Sequence, residues 1–179
     1  MNNLIPSQLL RVLSLLIFVT LTSGFSSKSF AAESPVAERT ANFSLDPIGF
    51  INGISNLGME WQIIETVSAG PTLSYSNFGT GGMIGFGATL TFTPGHSVFS
   101  NGWFIRPFVE YATASSNLST ATATGAALGS YSGYWWFWDN GLNLGAGLGL
   151  QYLAINMAAI GLNYSNFMPT GMAQIGYSF

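Results

Sequence analysis

Hydrolysis by a side-chain nucleophile requires a hydroxyl or thiol with a base beside it, and this chain has few residues that could form such a pair. It contains no cysteine and a single histidine, His96. The hydroxyl considered as a nucleophile is that of Ser165, in Asn163-Tyr164-Ser165-Asn166, far along the chain from His96. Because a hydroxyl without a base within reach is unreactive, we predict no catalytic residues.

Two further sequence features could indicate a metal or cofactor site, but a structural role explains each of them better. A lone histidine without cysteines makes a poor metal site, and we interpret His96 as a solvated turn residue. The run Gly145-Ala146-Gly147-Leu148-Gly149 mimics a nucleotide-binding loop. Such a loop must open a helix, and none is predicted after it, so small residues packing inside a barrel explain the run better. We predict no metal and no cofactor.

Composition narrows the class of protein. Charged residues make up 6% of the 179 residues, while 48% are hydrophobic. An ordinary soluble domain has about 25% charged residues, so a water-facing surface is hard to build from this chain. The formal net charge of -3 with only 4 Lys and Arg offers no basic face for phosphates, and we expect no nucleic-acid partner.

Side chains alternate with a period of two over long stretches, which is typical of β-strands. Between Leu142 and Tyr152, one parity carries Leu, Ala and Tyr, and the other carries Asn, Gly and Gln. The bulky parity is apolar and the other is small and polar, with few charges. A soluble barrel would place Lys and Glu on its outer parity, whereas a lipid-facing wall needs bulky apolar residues and a narrow lumen needs small ones. The pattern favours a membrane barrel.

We therefore predict an all-β fold, an eight-stranded antiparallel up-and-down transmembrane β-barrel. Residues 65–67 and 139–141 are predicted as short turns on the periplasmic side, and residues 114–127 and 154–166 as long outer connections. Pro107 lies inside the fifth strand, where a β-bulge would accommodate its missing N–H. The predicted strands are 43–51, 55–65, 68–78, 82–93, 102–113, 128–138, 141–153 and 167–179.

The N-terminus is interpreted as an export address. Arg11 precedes an apolar run from Val12 to Leu21, and Ser29-Phe30-Ala31 forms a small-x-small cleavage site. The run is shorter than the roughly 20 residues that a spanning helix needs. We predict a signal peptide over 1–31, a periplasmic leader over 32–42 and the barrel over 43–179.

Three charged residues fall on the inward parity of the predicted strands. Arg106 and Glu110 share one strand, and Glu60 lies on another. Eight-stranded barrels have interiors just wide enough for side chains to fill, so a lumenal ion-pair network that plugs the barrel is expected. The alternative interpretation of the same residues is a narrow polar pathway.

The end of the sequence carries a specific pattern. Ile175, Tyr177 and Phe179 share the apolar parity, with Gly176 and Ser178 between them. This resembles the C-terminal signal of outer-membrane barrel proteins that the barrel assembly machinery recognises. The overall plan resembles small barrels of the OmpX, OmpW and OmpA type, and the hairpin from Asp46 to Trp61 is similar to short outer-membrane barrels of unknown function. The resemblance implies a Gram-negative-type outer membrane, with its lipid and lipopolysaccharide as surroundings.

The expected function is a structural or surface-interaction role without catalysis. One alternative is a lipid-modifying enzyme, since lipid A deacylases carry a His-x-Ser-Asn motif that Asn163-Tyr164-Ser165-Asn166 resembles. The histidine position of that motif holds Asn163, which leaves Ser165 without its base. The other alternative is a conduit for small apolar molecules. No residue pattern identifies an extracellular partner.

Overall fold

The computed structural model describes residues 39–48, 54–77, 81–116, 122–157 and 162–179. They form a closed barrel in which every strand is antiparallel to its sequence neighbours and β1 pairs with β8. The predicted all-β, eight-stranded antiparallel barrel is thereby confirmed. The predicted signal peptide, 1–31, lies outside the described residues. The strands are β1 (Ala41–Leu45), β2 (Ile54–Ile64), β3 (Val67–Asn77), β4 (Gly81–Phe92), β5 (Gly102–Ser116), β6 (Thr122–Phe137), β7 (Leu142–Met157) and β8 (Leu162–Ser178).

Burial alternates along the strands as the sequence parity predicts. On β5, Phe104 and Arg106 are 0% and 1% exposed, while the alternate residues Trp103 and Ile105 are 64% and 46% exposed. Successive side chains of a strand point to opposite faces, so one parity fills the lumen and the other forms the outer wall. The charged residues that the strands contain, Glu60, Arg106 and Glu110, all lie on the inward parity.

The seam between the first and last strands closes the barrel. β1 and β8 pair from Asn42↔Ser178 to Leu45↔Ile175. Phe179 extends the seam, because its backbone N–H donates to the Ala41 carbonyl at 3.0 Å and its carbonyl accepts from the N–H groups of Thr40 and Ala41 at 2.9 and 3.0 Å. Closure leaves no strand edge in the described barrel.

Both hairpins of the C-terminal half are longer than expected. β5 and β6 pair as far as Ser115↔Thr122, and β7 and β8 as far as Met157↔Leu162. Most of the predicted loops over 114–127 and 154–166 is therefore strand, and that prediction was wrong. The residues near 114–127 are small and lack the bulky alternation that marks strands, whereas Ile155 and Met157 continue the alternation of β7. Cross-strand pairs hold both extensions in the sheet.

The start of the barrel also differs. Ala41 and Asn42, assigned to the leader over 32–42, belong to β1. The register explains this, because they complete the ladder opposite Trp61 and Glu60. Residues 49–51 of the predicted first strand lie outside the described residues.

Pro107 does not cause a bulge. The pairing of β4 with β5 keeps one register on both sides of it, from Thr89↔Phe108 to Phe92↔Ile105. The missing N–H therefore interrupts the pairing locally without inserting a residue. A register shift occurs instead between Gln62 and Ile64, next to the β2–β3 turn, and barrel rims are common places for bulges.

Three connections lie at one end of the barrel, which we call the turn end: Glu65–Thr66, residues 93–101 and residues 138–141. In the last of these, Gly141 adopts φ +90, a conformation that favours glycine, and the Leu142 N–H donates to Asn140 Oδ1 at 3.1 Å. The tight turns expected at 65–67 and 139–141 are confirmed, with Val67 already in β3.

Candidate functional site in the lumen

The connection over 93–101 folds back into the barrel and fills the turn end. Val98 and Phe99 are 5% and 7% exposed and pack in one apolar cluster with Phe104, Trp135, Phe137 and Met172. Phe99 has φ 58, an uncommon conformation for a bulky residue. We call Val98, Phe99 and this cluster the plug. Its presence explains why this connection is long for a turn.

The His96 side chain contacts the connection that carries the plug. Its Nε2 lies 2.9 Å from the Trp103 carbonyl oxygen and its Nδ1 lies 3.2 Å from Ser100 Oγ. The ring rests against the backbone of Gly102, where an added Cβ would lie 2.1 Å from Nε2. The interpretation of His96 as a solvated turn residue therefore needs correction, because the ring is half-buried and braces the connection.

Next to the plug, an ion pair crosses the lumen between Arg106 of β5 and Glu60 of β2. Both side chains are almost fully buried. The Glu60 carboxylate also accepts hydrogen bonds from Ser68 Oγ at 2.7 Å, Thr91 Oγ1 at 2.9 Å and Thr89 Oγ1 at 3.2 Å. A buried charge is tolerated when it is both paired and hydrogen-bonded, and Glu60 meets both conditions.

The Arg106 guanidinium reaches a third strand as well. Its Nη1 donates to Gln174 Oε1 at 2.5 Å and lies 3.4 Å from the sulfur of Met172, both on β8. Its Cζ stands 5.9 Å from the ring centroid of Trp135, within range of a cation–π interaction. One side chain thus ties β2, β5 and β8 to the plug across the lumen.

The space left around this layer is small. A cavity of about 10 Å³ lies between Glu60, Ser68 and Thr91 on one side and Val98 and Phe99 on the other. That is about the size of one water molecule. In the part of the chain that the structure describes, side chains therefore fill the lumen near the turn end.

Glu110 does not join the ion pair. Its carboxylate accepts a hydrogen bond from Ser74 Oγ of β3, and among the described residues Arg106 forms a salt bridge with Glu60 only. Phe108 lies between Arg106 and Glu110 on the inward face of β5 and stacks on Tyr131 with ring centroids 4.7 Å apart. The predicted three-residue network is thus divided into a pair and a separate carboxylate, because the stacked rings occupy the space between them.

Beyond the stacked rings, the lumen widens toward the end opposite the turn end, which we call the far end. A cavity of about 380 Å³ lies there with Glu110 in its lining. Most of the other residues around it are apolar, among them Met83, Ala112, Leu153 and Ile155. We call this cavity the mouth.

Among the described residues, Ser165 has no hydrogen bond to a histidine or a carboxylate, which a serine nucleophile needs as its base. It is exposed on β8 opposite Ala154, toward the far end, whereas His96 braces the turn end. The nearest polar side chains along its strand are the amides of Asn163 and Asn166, which are not bases. In the described ranges, no group of three His, Asp or Glu side chains could hold a metal ion.

The hydroxyls around Glu60 were not predicted from the sequence as site residues. Ser68, Thr89 and Thr91 come from β3 and β4, and Gln174 comes from β8. A signal was available, since all four occupy the inward parity of their strands. Parity gives the face of a residue but not its partner across the lumen, which depends on how the strands are staggered.

No family model, curated protein or solved structure matches this chain. Within the described ranges, no helix has the length and apolar character needed to cross a bilayer.

Proposed function

We propose that this protein is a small outer-membrane β-barrel with a structural or surface-interaction role and without catalytic activity. The observation that carries the proposal is the outer wall of the barrel, whose outward parity is mostly apolar and, over the described strands, uncharged. Exposed large side chains include Phe86, Leu148 and Leu150 at 66%, 59% and 65%. Contiguous apolar surface on this scale indicates an apolar surrounding, and lipid supplies one.

The distribution of aromatic residues supports the same proposal. On β8, Phe167 and Tyr177 both face outward, and they are ten positions apart in the sequence. At a rise of about 3.3 Å per residue and a tilt of about 40°, they stand about 25 Å apart along the barrel axis, which matches the apolar band of outer-membrane barrels. Each has an aromatic neighbour, Tyr152 for Phe167 and Phe179 for Tyr177. Aromatic side chains favour the two lipid–water interfaces.

The filled lumen favours a structural or surface-interaction role over transport. The plug and the Glu60–Arg106 pair occupy the turn end, which we assign to the periplasmic side because both barrel termini lie there. A conduit for apolar molecules would have to pass both. The lipid-modifying alternative has no supporting observation, since none of the residues that the structure describes beside Ser165 is a base.

Cell fractionation tests the proposal. The mature protein should sediment with outer membranes, and its band should migrate faster on gels before boiling than after, because a closed barrel without free edges resists detergent unfolding. The linear band of the boiled sample is the internal control. Purification as a soluble monomer without detergent would refute the membrane location.

A further inference from the structure

The inward face of the barrel changes character between its two ends. Near the turn end it combines buried hydroxyls and amides, such as Ser68, Thr91 and Asn143, with the closely packed aromatic and apolar side chains of the plug. Around the mouth it carries Met83, Ala114, Leu153, Ile155 and Met157. A lumen that held only water would not need apolar side chains there. Sites for small molecules are concave and mostly apolar, with a few polar groups that orient the ligand.

Glu110 is the charged group in the lining of the mouth. Among the described residues it has a hydrogen-bond donor, Ser74, but no cationic partner. Beyond Thr40 the sequence contains one Lys or Arg, which is Arg106, and that guanidinium is paired with Glu60. Glu110 therefore gives the mouth a negative charge.

We propose that the mouth binds a small amphiphilic cation, an alkylammonium whose ammonium group meets the Glu110 carboxylate and whose aliphatic chain lies against the apolar lining. A hydrogen bond between an ammonium and a carboxylate is stronger than one between neutral groups. The volume of about 380 Å³ lies toward the lower end of the range for ligand sites, which suits a single short chain.

The depth of Glu110 within the mouth and the closed inner end of the mouth also fit such a ligand. Glu110 lies six residues before the last residue of β5, Ser116, which corresponds to about 15 Å of depth at the usual rise and tilt. The stacked rings of Phe108 and Tyr131 lie beneath the carboxylate, and the ion pair and plug lie beyond them. The mouth is thus a dead end, so the ligand is bound and not passed through the barrel.

This inference rests on the proposed function, because the membrane location makes the far end the extracellular one. The surface interaction would then be the binding of a small amphiphilic cation. The methionines allow a direct test. Met83 and Met157 line the mouth, Met172 lies against Arg106, and Met59 shares the outward parity of β2 with Leu57 and Trp61. Methyl labelling of methionine therefore reports on the mouth, the plug and the lipid-facing wall separately.

The experiment titrates n-octylammonium into the methyl-labelled barrel in nanodiscs of zwitterionic lipid and follows the methionine methyl NMR signals. Saturable shifts are expected at Met83 and Met157, with Met172 unchanged; the Met59 signal corrects for partitioning into lipid. 1-Octanol should bind about tenfold more weakly, because it lacks the charge that meets Glu110. Glu110→Gln keeps an acceptor for Ser74 and should remove this preference, while Glu65→Gln at the turn end should keep it.

Ala114→Phe places a ring in the mouth and should abolish the shifts for both probes. Equal binding of octanol and octylammonium, or an unchanged preference in Glu110→Gln, would overturn the proposal. So would the absence of saturable shifts at Met83 and Met157. A heat-modifiable gel band recorded on each sample separates the two proposals: with the compact band present, a failed titration refutes only the ligand, and without it the membrane barrel itself is refuted.

Discussion

The ion pair between Arg106 and Glu60 gives the sharpest prediction about stability. Arg106→Met removes the guanidinium but keeps an unbranched apolar stem beside Met172 and Trp135. Glu60, 4% exposed, would then be a buried carboxylate without a cation. Removing one partner of a buried pair costs about 3–5 kcal/mol, because the other charge remains uncompensated.

From the structure, we expect the loss in free energy of unfolding to lie at the lower end of that range. Ser68, Thr89 and Thr91 still donate to the Glu60 carboxylate, so its desolvation is partly compensated. We expect Arg106→Met to lower the free energy of unfolding by about 3 kcal/mol. The double variant with Glu60→Gln should recover about 2 kcal/mol of this, since a neutral amide can accept the same hydroxyl bonds and has no charge to pair.

The assay is reversible urea unfolding in lipid bilayers, followed by tryptophan fluorescence. Trp135 stands near Arg106 and its signal could respond locally, so the gel-mobility shift of the folded barrel serves as a second probe. Glu65→Gln is the matched control, because its exposed carboxylate accepts one bond, from Ser97 Oγ at 3.1 Å, and should change stability by less than about 0.5 kcal/mol. A loss below about 1 kcal/mol in Arg106→Met would show that the pair is solvated, and the argument for a closed lumen would fail.

Two further predictions concern catalysis and assembly. Ser165→Ala should leave the lipid A and phospholipid profiles of the cell unchanged in mass spectra, because no described residue beside that hydroxyl is a base; an altered acylation pattern would overturn the non-enzymatic proposal. Deleting Phe179 removes an outward aromatic residue and the backbone bonds to Thr40 and Ala41 that extend the β1–β8 seam, so the protein should accumulate in the periplasm or be degraded, whereas Ser178→Ala, on the inward face, should reach the outer membrane. Equal amounts of the two variants in immunoblots of outer-membrane fractions would show that the last residue is not needed for assembly.

Much of the fold follows from local pattern. The alternation around Leu148 or Phe86 fixes which face each side chain takes, and a two-residue period cannot shift by one without exchanging the faces. The number of strands, their antiparallel order and both tight turns could be predicted for this reason. The extent of the C-terminal hairpins could not, because Ala, Ser and Thr near 114–127 pair as strand without the bulky alternation that identifies it.

The lumenal site was predictable only in part. Parity placed Arg106, Glu110 and Glu60 inside the barrel, but not which of them meet. That depends on the stagger between strands and on the stacked rings of Phe108 and Tyr131, which separate Glu110 from the pair. The plug was not predictable from the two-residue alternation of side chains, because Val98 and Phe99 lie in a connection where side chains follow no repeat.

The central claim, that the outer wall faces lipid, can be tested by spin labelling. The chain contains no cysteine, so Leu148→Cys and Asn140→Cys each provide a single labelling site. Leu148 faces outward within β7, and Asn140 lies in the β6–β7 turn. In reconstituted bilayers, the label at Leu148 should be relaxed by oxygen, which concentrates in lipid, and shielded from a water-soluble nickel chelate, while the label at Asn140 should show the reverse. Equal access of the chelate to both labels would contradict a membrane-spanning barrel.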